Sequence, residues 1–378
     1  METYKLSDLC VILDAKRKPL SALQRAKKQG IYPYYGAQGI IDHLDDYLLD
    51  GEYLLVAEDG ANLETRNQPI ANIAKGKIWV NNHAHVLGSN GKCPLNLLGF
   101  ILNNMNISPY VTGCAQPKLN QENLRNIEIE LPSHIDSIAS ILSSLDRKIE
   151  LNNKINADLE EMAQAIFKNW FVDFEPFKDG KFVDSELGMI PEGWKVVVFD
   201  NILKVTTTKT GKEGIPEYSV TNTGIHPRDE KFTKNLSKSS AKNKLIRKGN
   251  LVFGMSREIL NWGIMKEEVG GVSSAYNVYI VDEKIVNTTY LECFIAQRMD
   301  YFADLIKPAS REGQGVDKAL LMKKIICIPP SEVMDVFLEK YNSIKLLTEI
   351  RNQESSRLSL LRDTLLPRLM SGELEVPE

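Results

Sequence analysis

The feature of this sequence that most constrains its fold is a long-period internal repeat. The run Ile-Glu-Ile-Glu-Leu-Pro at 127–132 precedes one long helical pattern, and Ile-Ile-Cys-Ile-Pro-Pro at 325–330 precedes another. Inside these patterns apolar residues recur at matching intervals, at Leu159, Met162, Ile166 and Phe167 and again at Leu358, Leu361, Leu365 and Leu366. The period is too long for a solenoid, so it indicates tandem duplication of one globular-plus-helix module. The segments between the matched parts differ, so the two modules are expected to make two different recognitions.

Short β-like runs separated by Gly, Asn and Asp fill the segments between the repeated parts. Helical spacing occurs at 19–29, 95–105 and 288–305. We therefore predict an α+β protein with two mixed α/β bodies. The predicted domains, in chain order, are a first body at 1–132, a helical region at 133–177, a second body at 178–330 and a second helical region at 331–378.

The helical regions carry heptad seams, in which apolar residues step by four and three positions. The seam residues are Ile138, Leu142, Leu145, Ile149, Leu159 and Ile166 in the first region and Phe337, Ile344, Leu358, Leu361 and Leu365 in the second. Asn152 and Asn156 continue the first seam and could fix its register, and Pro367 should bend or end the second helix. We predict that the helices pair as an antiparallel coiled coil with a body at each end, a pseudo-twofold dumb-bell. The alternative is that each helix packs on its own domain.

Charge and cysteine usage narrow the class of protein. The net charge is −4, but residues 190–330 carry 21 basic and 16 acidic side chains, so the second body is locally basic. A nucleic-acid surface needs such a local patch rather than a basic total. Five scattered cysteines indicate a reduced, intracellular protein. The chain begins without an apolar signal run, and no stretch is long enough to span a bilayer, so a cytoplasmic protein is expected.

Sequence motifs for catalysis are missing. The sequence contains no G-x-x-x-x-G-K-[ST] phosphate loop, no G-x-G-x-x-G after a strand, no Asn/Asp-Pro-Pro-aromatic tetrad and no G-x-S-x-G elbow. His83 and His85 form an H-x-H pair with Cys93 nearby, but a zinc site needs three or four ligands. We therefore predict no metal, and expect ordinary polar or groove-facing histidines.

Polar and aromatic loops are what both bodies share. Gln, Asn and Arg can read adenine and guanine edges bidentately, and lysines contact phosphates. The candidate DNA-binding residues are Tyr34, Tyr35, Gln38, Asn82, His83, Gln116 and Lys118 in the first body and Asn222, Lys231, Lys244, Arg257, Arg311 and Gln314 in the second. For any single loop the alternative is ordinary turn chemistry; the set, placed on two bodies, favours nucleic-acid recognition.

Several runs together resemble the specificity subunit of a type I restriction–modification system. They are Tyr-Tyr-Gly-Ala-Gln-Gly-Ile-Ile-Asp at 34–42, runs at 50–55 and 58–60, the helical segments 138–153 and 163–176, the entry Ser-Glu-Leu-Gly-Met-Ile-Pro-Glu-Gly-Trp at 185–194, and the ending at 360–373. The resemblance covers the whole length. It implies two target-recognition domains joined by two helical regions, with each domain reading one half of a split double-stranded DNA target.

The resemblance also implies partners and cofactors. Two modification subunits would bind S-adenosylmethionine and methylate adenine, and restriction subunits would use ATP and Mg, so this chain would bind no cofactor itself. The second body departs from the first, because its corresponding loop, 218–224, lacks the Tyr-Tyr-Gly-Ala-Gln-Gly run. The two half-sites should therefore differ. Two alternatives stay open: a self-contained nucleic-acid-modifying enzyme, and a coiled-coil scaffold without a DNA role.

Overall fold

The computed structural model describes residues 1–113, 116–228, 239–256, 258–306 and 315–374. The chain forms two compact units. The first unit combines Met1–Lys154 with Ile350–Glu378, and the second is Ile155–Glu349. These units divide both long helices near their middles, whereas the sequence-based domains begin and end with the helices.

The first unit is a mixed α/β body with part of each long helix. Its described strands are β1 Glu2–Lys5, β2 Cys10–Ile12, β3 Gln29–Gly36, β4 Gly39–Leu44, β5 Leu49–Ala57, β6 Ala71–Val80, β7 Ala84–Ser89 and β8 Glu128–Leu131. Its described helices are α1 Leu6–Leu9, α2 Ala22–Ala26, α3 Asn62–Thr65, α4 Leu95–Asn104, α5 Gln121–Arg125 and the beginning of α6 Ile135–Phe171. Six strands form one sheet in the order β2-β7-β5-β6-β3-β4, in which only β3 and β6 are parallel.

Strand β5 shows why this sheet lies inside the unit. Leu54 and Val56 pack in the cluster that contains α4, while Leu49 and Leu55 pack in a second cluster on the other face. Alternate residues of a strand point to opposite faces, so both faces of β5 are covered. Helix α4 lies close to the sheet at Gly99, where an added Cβ would come within 3.0 Å of Leu54.

The second unit is built from shorter strands. Its described strands are β9 Phe182–Val183, β10 Ile190–Pro191, β11 Lys195–Val198, β12 Leu203–Thr206, β13 Tyr218–Thr221, β14 Gly224–Pro227, β15 Lys244–Arg247, β16 Leu251–Phe253, β17 Trp262–Ile264, β18 Val269–Val272, β19 Asn277–Val281 and β20 Ile325–Ile328. Its described helices are α7 Thr288–Gln297, α8 Lys318–Lys323 and parts of α6 and of α9 Ser331–Met370. Four strands form a sheet in the order β12-β19-β16-β17, and the others form two-stranded ladders.

The repeated frame seen in the sequence has a structural counterpart in each unit. In the first, β1 pairs antiparallel with β8, the strand that leads into α6, and Tyr4 lies opposite Ile129. In the second, β11 pairs antiparallel with β20, the strand that leads into α9, and Val197 lies opposite Ile326. The same strand-pair-to-helix arrangement therefore occurs twice around sheets of different topology.

Within each unit, the segments of α6 and α9 pair antiparallel. In the first unit Asn152 donates to Glu354 at 2.8 Å, and Arg362 forms an ion pair with Asp146 at 2.7 Å. Residue numbers therefore rise along α6 as the numbers of their partners fall along α9, which is the antiparallel order. The second unit repeats this order, because Leu159 and Ala163 pack against Ile344, and the Phe167 and Phe337 rings lie 5.8 Å apart.

The residues of the predicted seam differ in burial. Ile138, Leu142, Leu159, Phe337 and Ile344 are buried, and Leu145, Ile149, Ile166, Leu358 and Leu365 are half-buried. Leu361, by contrast, is 46% exposed. The seam of α9 steps from Leu358 to Arg362, a polar residue whose guanidinium pairs with Asp146 and lies over the Phe100 ring. The sequence pattern predicts the apolar Leu361 at this seam position, whereas its neighbour Arg362 occupies it.

Pro367 does not end α9, which continues to Met370. A proline removes one N–H donor and crowds the preceding turn, so it usually breaks a helix interior. Here Leu366 and Leu369 are both buried in the core of the first unit, and Ser371 N donates to the Pro367 carbonyl. Burial of these two leucines holds the last turn in place.

Candidate nucleic-acid interface

Four loops of the first unit meet at one end of the sheet, and we call their described residues 36–39, 58–60, 81–83, 112–113 and 116–119 the loop cluster. Backbone hydrogen bonds join them: Glu58 N donates to His83 O, Gly60 N to Pro117 O, and Asn81 N to Tyr35 O. The β3–β4 hairpin enters the cluster through a two-residue turn closed by Gly36 and Gly39. Gly39 has a φ of 123°, a conformation that favours glycine.

The structure brings together five of the predicted DNA-binding residues of the first body in this loop cluster. They are Gln38, Asn82, His83, Gln116 and Lys118, and all five are exposed. The imidazole Nδ1 of His83 lies 2.8 Å from the Asp59 carboxylate, and Lys118 Nζ lies 3.2 Å from Glu58. Residues far apart in the chain thus present amide, imidazole and ammonium groups on one polar surface, of the kind that can contact base edges and phosphates.

The two tyrosines of the predicted set have other positions. Tyr34 is only 1% exposed, its hydroxyl accepts a hydrogen bond from Leu20 N, and Arg25 stacks on its ring. Its assignment to a DNA-facing surface is therefore corrected: alternation along β3 places it in the core. Tyr35 is half-buried, and burial raises the pKa of its phenol.

A buried polar network lies beneath the loop cluster. His85 is fully buried, with Nδ1 2.6 Å from Asp14 and Nε2 2.7 Å from the Leu119 carbonyl. Arg17 reaches Glu58 at 2.5 Å and Asp14 at 3.4 Å. Sequence reasoning missed Asp14, Arg17 and Glu58, because their partners are distant in the chain and no local pattern connects them.

The network charges explain the acidity of its carboxyl groups. Burial opposes ionisation of Asp14, but the hydrogen bond and charge of His85, together with Arg17, hold its pKa below the usual range. Burial likewise opposes ionisation of Glu58, and Arg17, His85 and Lys118 lower its pKa. Both carboxylates are therefore ionised at neutral pH and already balanced by protein cations.

Asp14, Glu58 and His85 are close enough together to be considered as metal ligands, and among the described residues they are the only such group. The donor set does not fit a metal ion, because Arg17 already contacts both carboxylates. Both ring nitrogens of His85 are also engaged by oxygen atoms of the protein. The group is better described as an ion-pair network that joins the loops.

The second unit presents fewer of its predicted residues. Asn222 is exposed in the turn between β13 and β14, beside a cavity of about 410 Å³ that is also lined by Trp262 and Gln297. Lys244 donates to the Tyr276 carbonyl at 2.5 Å, and burial lowers the pKa of its ammonium. This bond uses one of the three ammonium donors, so the phosphate contact of Lys244 stays a prediction. Lys231, Arg257, Arg311 and Gln314 lie outside the described residues.

The four described cysteines do not provide nucleophiles. Cys10, Cys93, Cys293 and Cys327 are buried and unpaired with one another. Burial raises the pKa of Cys10 to about 11 and of the other three to about 12, so all four are thiols at neutral pH. Among the described helices, none is both long and apolar enough to cross a membrane.

Comparison with known proteins gives consistent relatives. Residues 1–161 match the family described as type I restriction modification DNA specificity domain. The type I restriction enzyme MjaIX specificity subunit of Methanocaldococcus jannaschii is 30% identical over 289 residues, which are 70% of this chain and 65% of that protein. A putative type I restriction enzyme specificity subunit of Haemophilus influenzae is 27% identical over 380 residues, 97% of this chain and 95% of that protein.

Solved structures agree on the fold. The S subunit of a type I restriction–modification system from M. genitalium has a TM-score of 0.58 at 13% identity, covering 100% of this chain and 96% of that one. A chain from a study of complex assembly and conformational transition of the type I system has a TM-score of 0.50, also at 13% identity, covering 99% and 98%. At these identities the likeness shows the fold alone, a mixed α/β architecture with long helices.

Proposed function

We propose that this chain is the sequence-specific DNA-binding subunit of a type I restriction–modification complex. The support is that residues 1–161 match the DNA specificity domain of such systems, and that specificity subunits of Methanocaldococcus jannaschii and Haemophilus influenzae are 30% and 27% identical to it. In this role it reads a bipartite, asymmetric target, with one α/β body for each half. The observation that carries the proposal is the loop cluster, where Gln38, Asn82, His83, Gln116 and Lys118 share one exposed polar surface. The family is non-catalytic, which accords with the missing catalytic motifs of the sequence.

The helices have a proposed part in this reading. We propose that α6 and α9 form one antiparallel coiled coil with a reading body at each end, the pseudo-twofold dumb-bell predicted from sequence. Support comes from within each unit: Asn152 bonds Glu354 in the first, and Lys345 pairs with Glu160 at 3.0 Å in the second. The different topologies of the two bodies support different half-sites.

The proposed partners are two modification subunits and the restriction subunits. S-adenosylmethionine, ATP and Mg would be bound by those partners, and none by this chain. The likeness to a chain from a study of type I complex assembly supports an assembly of this kind. Recognition would thus be supplied by this chain, and adenine methylation, translocation and cleavage by the partners.

The test is a reconstitution with labelled S-adenosylmethionine and duplex DNA. The purified chain alone is expected to transfer no methyl group, and addition of the modification subunit is expected to produce adenine methylation at one split motif. Sequencing of methylated adenines gives that motif. Methyl transfer by the chain alone would support the self-contained enzyme instead, and a complex without sequence preference would support a scaffold.

A further inference from the structure

The His85 ring of strand β7 has both nitrogens committed to oxygen acceptors. Its Nδ1 lies 2.6 Å from the Asp14 carboxylate and its Nε2 lies 2.7 Å from the Leu119 carbonyl, with no exposed surface. A carbonyl oxygen and an ionised carboxylate can only accept hydrogen bonds. Each ring nitrogen must therefore carry a proton for both bonds to form, which requires the imidazolium.

The charges around the ring suit that imidazolium. Two carboxylates face it, Asp14 in direct contact and Glu58 at 3.9 Å. Two cations balance these carboxylates: Arg17, from the segment after β2, contacts both, and Lys118, from the loop before α5, contacts Glu58. Gln121 of α5 adds a neutral donor to Asp14 at 3.0 Å. The network is thus centred on two anions that a charged ring helps to balance.

The Nε2 bond connects this network to the exposed loops. Leu119 N donates to Glu58 O at 2.8 Å, and Lys118 and Thr112 exchange backbone hydrogen bonds of 2.7 and 2.8 Å. Gln116 and Lys118 lie on the loop that these bonds close. The Nε2–H of the buried ring therefore adds a side-chain anchor at Leu119 to the backbone bonds that hold residues 116–119 of the loop cluster.

We propose that His85 is a positioning residue for DNA reading: in its doubly protonated form it anchors Leu119, and loss of one proton loosens residues 116–119 and weakens recognition of one half-site. This inference rests on the proposed function and adds to it a pH-dependent control of the first reading body. The Asp14 carboxylate retains the Nδ1 proton, so the proton is lost from Nε2. An unprotonated Nε2 then faces the Leu119 carbonyl, acceptor against acceptor.

The expected change in half-site selectivity follows from the hydrogen bond between His85 Nε2 and the Leu119 carbonyl that is lost. A hydrogen bond to a charged group contributes ~1.5–3 kcal/mol, which corresponds to about a 10- to 100-fold change in an equilibrium constant. Selectivity for the half-site read by the first unit should therefore fall at least about tenfold when the ring loses a proton. Selectivity for the other half should not change, since His85 belongs to the first unit.

The experiment has two arms on the full chain. Nitrogen-15 spectra of histidine-labelled protein, assigned with His85→Gln, report the protonation of each ring nitrogen from mildly acidic to mildly alkaline buffer. In parallel, the complex with the modification subunit selects duplexes from a random pool, and its affinity is measured for the selected duplex and for duplexes scrambled in either half. His43→Gln, at an exposed position of β4, is the matched control for loss of a histidine.

The proposal expects a doubly protonated His85 in acidic buffer and a fall in selectivity for one half-site as that ring deprotonates. His85→Gln should lack the pH dependence and be poorly selective for that half throughout. Asp14→Asn, which removes the charge that favours the imidazolium, should move the loss to lower pH. If the wild-type ring stays doubly protonated over the whole pH range, the Asp14→Asn variant must still lose selectivity for that half-site as its His85 ring deprotonates.

Three results would overturn the inference: a singly protonated His85 in acidic buffer, unchanged half-site selectivity while the ring deprotonates, or a His85→Gln profile that matches His43→Gln. Failure of the proposed function looks different. In that case the wild-type complex selects neither half at any pH, whatever the protonation of the ring in the nitrogen spectra.

Discussion

Replacing the buried Asn152 with leucine should make the first unit more stable. Asn152 has no exposed surface, its Nδ2 donates to Glu354 at 2.8 Å and to Ser355 at 3.3 Å, and its Oδ1 has no partner among the described residues. An unpaired buried acceptor costs ~1–3 kcal/mol, and burying a leucine contributes ~1.5–3 kcal/mol. Against these gains, loss of the hydrogen bond to the Glu354 carboxylate costs the variant ~1.5–3 kcal/mol.

Glu354 tolerates that loss, because its side chain is 41% exposed and Lys148 lies 3.5 Å away. The net expectation for Asn152→Leu is a gain of about 1–2 kcal/mol in the free energy of unfolding. A polar residue in a helix seam specifies register at a cost in stability, so the gain should be accompanied by looser register. In the complex this would appear as methylated motifs with more than one spacer length.

The assay is urea unfolding followed by circular dichroism, with hydrogen exchange of segments 138–154 and 350–369 to assign the change to the first unit. Asn153→Leu is the matched control, since it makes the same substitution at the next, exposed position and should change stability by less than about 0.5 kcal/mol. A lower stability for Asn152→Leu than for Asn153→Leu would refute the reasoning and show that the Glu354 bond outweighs the unpaired oxygen.

Three further predictions follow from the paired helices and the loop cluster. Inserting four residues after Asn152 lengthens α6 by ~6 Å, which is close to two base-pair steps of ~3.4 Å. The methylated motif should therefore keep both halves and gain one or two unspecified positions between them. Unchanged spacing in an active complex would contradict the coiled-coil proposal. Exchanging residues 190–328 for those of another family member should change one half of the motif in methylation sequencing, and a change in both halves would show that the bodies do not read independently. Asp14 and Glu58 have lowered pKa values in the folded protein, so the stability they contribute is present above the ordinary carboxyl pKa and is lost as pH falls through the lowered values. The urea midpoint of the first unit should therefore drop on acidification, and it should drop more steeply in the wild-type protein than in Asp14→Asn. Equal slopes of urea midpoint against pH in the two proteins would argue against the network.

The spacing of apolar residues predicted helices, because helical periodicity is set by residues that are close in the sequence. Helical spacing at 95–105 corresponds to α4, Leu95–Asn104. The spacing at 19–29 yields only α2, Ala22–Ala26, because β3 pairing begins at Gln29. Helix α7 ends at Gln297, eight residues before the predicted end at 305.

Long-range partners explain what the sequence could not show. The seam position Arg362 is polar, and its burial depends on Asp146 and Phe100 from distant segments. The pairing of Asp14 with His85 joins residues 71 positions apart. The exposed loop residues were foreseen by residue type, whereas the network that orders them depends on tertiary contacts that no local pattern encodes.

The order in which the chain is synthesised bears differently on the two units. The second unit is one continuous segment, Ile155–Glu349, whereas the first combines Met1–Lys154 with residues from Ile350 onward. During translation the second unit can fold as soon as its residues leave the ribosome. The first must wait for Leu366 and Leu369, which complete its core. A released chain that ends at Glu349 should therefore leave the first unit open to proteases, with its apolar α6 face unpaired, while the second unit is already resistant.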